Sequence, residues 1–242
     1  MNLSPLTAAT NSFSNSAYER TTEHSFSETK SEGVGRKKRG IADPDTIWPS
    51  GTLTVGLDIQ NKKSEHVIKQ AICEWIRETP SLNVRFVEGN NGQIRISDDP
   101  DIKGNWSALG ADANNWDKSE PTMHLDRTDN TKDLYSNALH EFGHALGLKH
   151  EHQHPDAKTD WDEAEVARRA ENRGYPVDLV LDSAFNKFSA TDSKVTPYDP
   201  NSVMHYELPE NDDLSKKTMF HVKDKLSEGD KQLANELYKI KH

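Results

Sequence analysis

An α+β fold is predicted for this 242-residue chain by three patterns in its sequence. Short segments between residues 47 and 126 alternate apolar and polar residues, which is typical of half-buried strands. Two longer segments, which begin near residues 64 and 133, repeat apolar residues every three or four positions, as amphipathic helices do. Beyond residue 150 the periodic segments are short. We therefore expect the sheet and two long helices in the N-terminal half and an irregular C-terminal half.

Four strands are predicted in the N-terminal half. Residues 47–57 form a Pro/Gly turn followed by alternating apolar residues, and residues 84–87 and 93–96 alternate in the same way. The Gly-rich segment 89–92 is the turn between the second and third strands. A short fourth strand is predicted at 121–126.

The first long helix is predicted from Ser64 to about Glu78, because Pro80 cannot continue it. Its apolar face should pack against the sheet. Cys73, the one cysteine of the chain, lies inside this apolar pattern, so we expect a buried and inert thiol. A single cysteine excludes a disulfide within the chain, and the fold must be held by its core and by any bound metal.

The remaining helices are predicted from caps and apolar spacing. The second long helix begins near Asp133 or Ser136, either of which can cap it. Three shorter helices follow: residues 160–173, with Asp160 and Glu163 as the capping pattern and Gly174 as the end; residues 177–188; and a terminal helix that opens at Ser227.

Residues 97–120 are predicted to form a loop, since they are rich in Asp, Asn, Gly and Trp. Asp98, Asp99 and Asp101 are a conceivable calcium site, although their spacing matches no known calcium loop. His124, on the strand after this loop, is expected to be a surface residue and not a metal ligand.

The second long helix carries residues with the spacing of a catalytic zinc site. His140 and His144 are four residues apart and leave the same helix face one turn apart, so both can bind one metal ion. Glu141 is placed to take a proton from a metal-activated water as the general base. Gly147 permits a left-handed turn that returns His150 to the metal. Three nitrogen ligands leave a fourth position open for water and substrate, which predicts a hydrolytic site.

These residues resemble those of a known family. Residues 140–150, HEFGHALGLKH, resemble the metzincin signature HExxHxxGxxH, and Glu151 directly after them resembles the astacin branch in particular. Residues 150–156 are similar to the astacin continuation HEHxRPDR, with His154 and Ala157 in place of the two arginines. The opening WPSG and the closing LSEGD at residues 226–230 are also similar to the ends of astacin domains.

The resemblance implies a metzincin-type zincin fold with a twisted mixed sheet and an active-site helix in the N-terminal half. It implies Zn²⁺ bound by His140, His144 and His150. An edge strand of metzincins binds extended substrate through its main chain, and residues 121–126 resemble that strand.

A second stretch resembles the methionine turn of the astacin branch. Residues 198–206, YDPNSVMHY, contain the pattern SxMHY. The resemblance implies that Met204 forms an apolar floor beneath the zinc. It also implies that Tyr206 binds zinc at rest and swings away to donate a hydrogen bond to the oxyanion during catalysis. His152 and His154 are either polar loop residues or part of a second metal site.

The chain is expected to consist of a disordered leader or propeptide at 1–40 and an astacin-like catalytic domain at 41–242. The leader contains no apolar core of a classical signal peptide, and no segment is apolar enough to span a membrane. It is a propeptide, a translocation signal for a specialised secretion machinery, or a tail. Residues 36–39, RKKR, are either a processing site or a solvated charge run. In astacins the mature N-terminus is buried near the glutamate after the third histidine, here Glu151, so cleavage after Arg39 should increase activity.

The sequence thus predicts a monomeric zinc-dependent endopeptidase that hydrolyses peptide bonds of a protein or peptide substrate by a metal-activated water. The net charge of −10 argues against nucleic acid or an anionic membrane as partner. The leader suggests a secreted protease, or an effector or toxin delivered to a target cell and activated as a zymogen; a cytoplasmic location is the alternative. The rival function is a catalytically idle zinc-binding module that acts through protein–protein contacts.

Overall fold

The computed structural model describes residues 41–188, 194–212, 214 and 219–240. The predictions for the leader at 1–40 lie outside this part of the chain. The helices and strands are β1 (Ile41–Ala42), β2 (Gly51–Asp58), α1 (Lys62–Arg77), β3 (Leu82–Glu88), β4 (Ile94–Ser97), β5 (Trp106–Ser107), β6 (Met123–His124), α2 (Thr131–Ala145), α3 (Glu163–Asn172), α4 (Val177–Phe185), β7 (Lys194–Val195) and α5 (Glu228–Leu237). Short 3₁₀ turns occur at Pro44–Thr46, Gly110–Asn115 and Glu151–Gln153. No helix in the described ranges is long and apolar enough to cross a membrane.

The main sheet has five strands in the order β3-β2-β4-β6-β5. The strands β3, β2, β4 and β6 are parallel, and β5 lies antiparallel to β6 at one edge. A second, two-stranded antiparallel sheet joins β1 to β7. The mixed sheet in the N-terminal half and the sparse structure of the C-terminal half confirm the predicted α+β class.

The predicted edge strand at 121–126 is not at the edge of the sheet. This segment yields only the two-residue strand β6, which is an interior strand because β5 covers its outer side. The predicted loop at 97–120 therefore contains an unpredicted strand and a 3₁₀ turn. A strand of two residues is too short to show an alternating pattern in the sequence. It forms because the neighbouring strand β6 pairs with it.

The turn predicted at 89–92 connects β3 to β4, but these strands are not neighbours. Both flank β2, and the connection crosses over β2 at Gly56. A Cβ atom at Gly56 would lie 2.2 Å from the carbonyl oxygen of Gly89, and one at Gly92 would lie 2.3 Å from the nitrogen of Gly56. Two glycines without side chains thus permit the backbone to pass so closely.

The two long helices begin earlier than predicted. Asn61 caps α1 by accepting hydrogen bonds from two backbone N–H groups, and Asn130 caps α2 in the same way, so neither Asp133 nor Ser136 is the cap. The helix α1 buries one face against the sheet and α2; that face consists of Val67, Ile68, Ala71, Ile72 and Trp75. Cys73 is half-buried, not buried as predicted.

The C-terminal half forms a second, smaller core. Asp162 caps α3, in place of the predicted capping pattern of Asp160 with Glu163, and Gly174 with φ 70° follows the helix end. The helix α4 ends at Phe185, three residues earlier than predicted. Buried residues of α3 and α4 pack with Met219 in this core: Val166, Ala170, Val180 and Ala184.

Candidate active site

The three predicted histidine ligands converge at the C-terminal end of α2. His140 and His144 lie one turn apart, and Gly147 with φ 88° turns the chain so that His150 meets them. The Nε2 atom of His144 lies 3.2 Å from Nε2 of His140 and 3.1 Å from Nε2 of His150. Within the described residues, this is the one group of His, Cys, Asp or Glu side chains placed to hold a metal ion.

Hydrogen bonds to backbone carbonyls fix the proton positions of two imidazoles. Nδ1 of His140 donates to the Val203 carbonyl at 2.8 Å, and Nδ1 of His144 donates to the Leu148 carbonyl at 2.7 Å. In the neutral ring the other nitrogen, Nε2, then carries the lone pair. Burial lowers the pKa of His144 to about 4 and holds the pKa of His140 well below its ordinary value. Both side chains are therefore neutral at neutral pH, which is the state in which imidazole binds a metal.

This donor set fits a zinc ion. Lone pairs that face each other at 3.1–3.2 Å repel unless a cation lies between them. Nitrogen ligands placed tetrahedrally about 2.0–2.1 Å from zinc lie roughly 3.3 Å from one another, close to the observed separations. The backbone acceptors behind His140 and His144 are the kind of outer partner that orients metal-binding histidines.

Glu141 is buried beside the first histidine, with 4% of its surface exposed. Burial raises the pKa of its carboxyl group to about 8. A carboxyl group with a pKa near neutrality can both take up and release a proton at neutral pH. A metal cation bound nearby acts in the opposite direction, because positive charge favours the carboxylate.

Met204 lies against α2 between the two histidines of that helix. It is 1% exposed, and a Cβ atom at Gly143 would lie 2.3 Å from its sulfur. The absence of a side chain at residue 143 is what lets the sulfur approach the helix backbone. The sulfur thus lies against the helix segment that carries His140 and His144. The role of Met204 as an apolar floor beneath the zinc stays a prediction.

Tyr206 is part of an aromatic group next to the histidines. Its ring centroid lies 5.0 Å from that of His140 and 4.4 Å from that of His150. On the side of the C-terminal core it stacks on His152 at 4.9 Å and on Phe220 at 4.8 Å, with an interplanar angle of 4° to Phe220. The phenol is thus next to two of the three imidazoles, and its catalytic role stays a prediction.

Three histidines outside the metal-binding group are buried, although His124 is expected to lie on the surface and His152 and His154 are expected in a polar loop or a second metal site. His124, His152 and His154 are each at most 1% exposed. Nε2 of His152 lies 3.0 Å from the Ser183 carbonyl, and Nε2 of His154 lies 2.6 Å from the Thr196 carbonyl. Each ring is therefore engaged with the backbone of a distant segment, and none of the three belongs to the metal-binding group.

His124 reaches the 99–104 loop through both of its ring nitrogens. Nδ1 lies 2.7 Å from the Gly104 carbonyl and Nε2 lies 3.0 Å from the Asp99 carbonyl. The conceivable calcium ligands have other partners: Asp98 pairs with Arg127 at 3.2 Å, and Asp99 accepts the N–H of Asp101. These acidic residues form no metal-binding group in the part of the chain that is described.

Glu151 lies behind the site and is 2% exposed. Its carboxylate accepts the N–H of Asp199 at 2.7 Å, and its own N–H donates to the Met204 carbonyl at 2.9 Å. Burial raises the pKa of Glu151 to about 8. A cavity of about 10 Å³, room for roughly one water molecule, is bordered by Glu151, Ile41 and Asp230 among others.

Several residues that fix the position of α2 by hydrogen bonds were not predicted from the sequence. The side chains of Trp48, Trp75 and Tyr238 donate hydrogen bonds to carbonyls of α2 and its end, at Ala145, Leu139 and Leu146 respectively. The contact of Asp230 with the 202–203 segment was not predicted either. The only sequence signal for Asp230 is its place in the LSEGD motif, and that motif by itself indicates no more than a helix start.

Comparisons with known proteins give a consistent result. The family model described as Astacin, a peptidase family, matches residues 40–239. The zinc metalloproteinase nas-19 of Caenorhabditis elegans is 29% identical over 140 residues, which are 57% of this chain and 33% of that relative. The match thus spans about a third of the curated relative's length.

Solved structures show the same similarity. The structure of myroilysin is 30% identical, with a TM-score of 0.69, and the match covers 84% of this chain and 100% of that one. HCE-1, a hatching enzyme zinc-protease from the medaka fish Oryzias latipes, is 20% identical with a TM-score of 0.50, covering 81% and 96% of the two chains. The second likeness is one of fold.

Proposed function

This chain belongs to the astacin family, whose members are zinc metalloendopeptidases, and from that premise we propose that it cleaves protein or peptide substrates with His140, His144 and His150 as zinc ligands. The observation that carries the proposal is the convergence of three neutral Nε2 atoms next to a buried glutamate. A purely structural metal site needs no such carboxyl group beside it.

Glu141 is proposed as the proton carrier. Bound zinc supplies a Lewis acid that lowers the pKa of water and polarises a carbonyl group. Glu141 takes the proton that the attacking water loses and later gives it to the leaving amine. Its burial raises its pKa and so makes the carboxylate a stronger acceptor for the proton of the attacking water.

Tyr206 is proposed to stabilise the negative charge that develops on the substrate carbonyl oxygen. A phenol O–H is a suitable donor for this charge, and a preorganised donor of this kind lowers the barrier by a few kcal/mol. The contacts of its ring with His140 and His150 support this role, because they keep the phenol at the metal site.

The strand β5 is proposed as the substrate-binding edge, in place of the segment at 121–126. Among the described strands it pairs with β6 alone, and the N–H of Ala108 donates to Thr122. Backbone groups alternate in direction along a strand, so the N–H of Ser107 points away from β6, toward the side on which an extended peptide would pair. The substitution Ser107→Pro removes that N–H and should raise KM while zinc is retained.

The Glu141→Gln substitution tests the proposed chemistry. We expect it to keep one zinc per chain and to lower the cleavage of an unfolded protein by about 10²–10⁴-fold. Glu163→Gln, at an exposed position of α3, is the matched control and should leave both properties unchanged. Substantial cleavage by Glu141→Gln would exclude Glu141 as the base. Zinc binding without any cleavage by residues 40–242 would favour the idle binding module.

We also propose that the leader makes the chain a zymogen. Ile41 is 1% exposed, and β1 begins there beside the cavity that Glu151 borders. Cleavage after Arg39 leaves Gly40 as the new terminus, one residue before Ile41 in sequence. The new ammonium group would then meet a buried carboxyl group whose charged neighbours, Asp199 and Asp230, are both acidic. A positive charge would relieve that repulsion.

Turnover by the full chain, by residues 40–242 and by the same fragment with Glu151→Gln tests this activation. The fragment should be the most active, and Glu151→Gln should remove most of its gain. Equal turnover by the full chain and the fragment would refute the zymogen proposal.

We propose that the enzyme acts as a monomer outside the cell that makes it, either secreted or delivered into a target cell. A fold with a single cysteine holds together without disulfides and so suits either a reducing or an oxidising compartment. Light scattering should give the mass of one chain. Following a tagged copy expressed by its host should place it in the medium or in target cells, and retention in the producing cell would contradict the proposal.

A further inference from the structure

Asp230, in the first turn of α5, is a buried carboxylate that holds the chain segment behind the metal site. It is 3% exposed. Its Oδ1 accepts a hydrogen bond from the Ser202 hydroxyl at 2.6 Å, and its Oδ2 accepts the N–H of Val203 at 3.0 Å and the N–H of Ser227 at 2.9 Å. One carboxylate therefore joins the start of α5 to residues 202–203.

The segment that Asp230 holds contacts His140 and the backbone of the residue that follows His150. The Val203 carbonyl accepts the Nδ1–H of His140 at 2.8 Å. The Met204 carbonyl accepts the N–H of Glu151 at 2.9 Å, directly after His150. Asp230 thus binds one side of the 202–204 segment, the side that faces α5. The carbonyl groups on the other side accept hydrogen bonds from His140 and from the backbone N–H of Glu151, next to His150.

We propose that Asp230 is a positioning residue for the zinc site. By fixing the 202–203 segment, it places the Val203 carbonyl so that His140 keeps its proton on Nδ1 and presents the Nε2 lone pair to the metal. The inference rests on the proposed function, since it assumes that the three histidines bind zinc. Partners that orient metal-binding histidines change metal affinity by about 10–100-fold when they are removed.

The alternative is that Asp230 only stabilises α5. The hydroxyl of Ser227 accepts the N–H of Asp230 at 2.9 Å, and the two side chains form a reciprocal capping box. Ser227→Ala removes the side-chain cap and the bond from Ser227 to Asp199, yet leaves the carboxylate of Asp230 on Ser202 and Val203. It is therefore the matched control for loss of helix stability.

The experiment compares zinc affinity in the full chain, Asp230→Asn and Ser227→Ala by competition with a chelator, below the unfolding transition of each. The amide group removes the negative charge that strengthens the bonds from Val203 and Ser227, and its Nδ2 can only donate where the carboxylate accepts the Ser202 hydroxyl, so it holds the segment more weakly. We expect Asp230→Asn to bind zinc about 10-fold or more weakly than the unaltered chain. The zinc affinity of Ser227→Ala should stay within a factor of about two to three of that of the unaltered chain, which is well below the change expected for Asp230→Asn.

A second readout is the proton resonance of His140 Nδ1–H in the zinc-loaded protein, which should shift or broaden in Asp230→Asn and not in Ser227→Ala. Equal affinities for the two variants, or an unchanged resonance, would overturn the proposal. Should Asp230→Asn fail to fold, Ser202→Ala replaces it, because it removes the hydroxyl link to Asp230 and the acceptor of the Met204 N–H but leaves the carboxylate on Val203, and the same criteria apply. Failure of the proposed function would appear differently, as no zinc binding by the unaltered chain.

Discussion

Gly143→Ala is expected to destabilise the protein although alanine is the better helix former. Residue 143 lies inside α2, between His140 and His144. In an exposed helix interior, replacing glycine by alanine stabilises by about 1 kcal/mol. Here the new methyl group would enter the space that the sulfur of Met204 occupies, so packing opposes helix propensity.

The size of the effect follows from the distances. The Cβ atom would lie 2.3 Å from the Met204 sulfur and 3.1 Å from Cζ2 of Trp75, whereas ordinary contacts are 3.4–4 Å. The overlap with sulfur exceeds 1 Å, and both neighbours are at most 1% exposed. Overpacking of a core costs about 1–3 kcal/mol, and an overlap of this size belongs at the upper end. After the gain in helix propensity, a net loss of about 2 kcal/mol remains.

Urea unfolding of a double-mutant cycle with Met204→Ala measures this packing term. Met204→Ala alone should cost about 2–5 kcal/mol, because it leaves a cavity. In that background the methyl group at residue 143 has room, so Gly143→Ala should become neutral or stabilising by about 1 kcal/mol. The reasoning is refuted if Gly143→Ala stabilises the native background, or if its cost is the same with and without Met204.

Three further predictions concern the same framework. Tyr238→Phe removes the donor to the buried Leu146 carbonyl and should lower the free energy of unfolding in urea by about 1–3 kcal/mol; no change would contradict this. Gly56→Ala places a methyl group 2.2 Å from the Gly89 carbonyl oxygen and should cost about 3 kcal/mol or more, because backbone cannot give way as a flexible side chain does; near-native stability in urea would contradict the crossover. In zinc-free protein the pKa of Glu141 is raised from 4.5 to about 8, so between these pH values the native state binds more protons than the unfolded state and its stability falls as pH rises. The difference in the free energy of unfolding between Glu141→Gln and the unaltered chain should therefore move in favour of Glu141→Gln between about pH 5 and 8. A constant difference would contradict the burial of this group.

The elements that could be predicted from sequence are those fixed by local spacing. The four-residue separation of His140 and His144 on a helix, and a left-handed glycine at 147, follow from helix geometry alone, and the structure brings both imidazoles to His150. The start of α2 lies about one turn before the predicted position, because Asp133 and Asn130 are equally good caps by residue type. Which of the two becomes the cap depends on where the preceding chain lies, and that is not visible in the local sequence.

The features that were missed depend on partners far away in sequence. The burial of His124 and His154 cannot be inferred from polar neighbours, since the carbonyls that accept them belong to other segments, at Gly104 and Thr196. In the same way, β5 exists because β6 lies next to it, and its own two residues carry no alternation. Local polarity indicates exposure only where no distant backbone group compensates for burial.

The same dependence on distant partners explains how a chain with one cysteine holds a metal site. The carbonyls of Leu139, Ala145 and Leu146 surround the histidines of α2, and each accepts a donor from a residue 64, 97 or 92 positions away in sequence. Each such bond contributes about 1 kcal/mol. Because the donors come from α1, from the chain before β2 and from the end of α5, the helix reaches its final position only when both ends of the domain have folded around it. Long-range hydrogen bonds thus do the orienting that a disulfide would otherwise do.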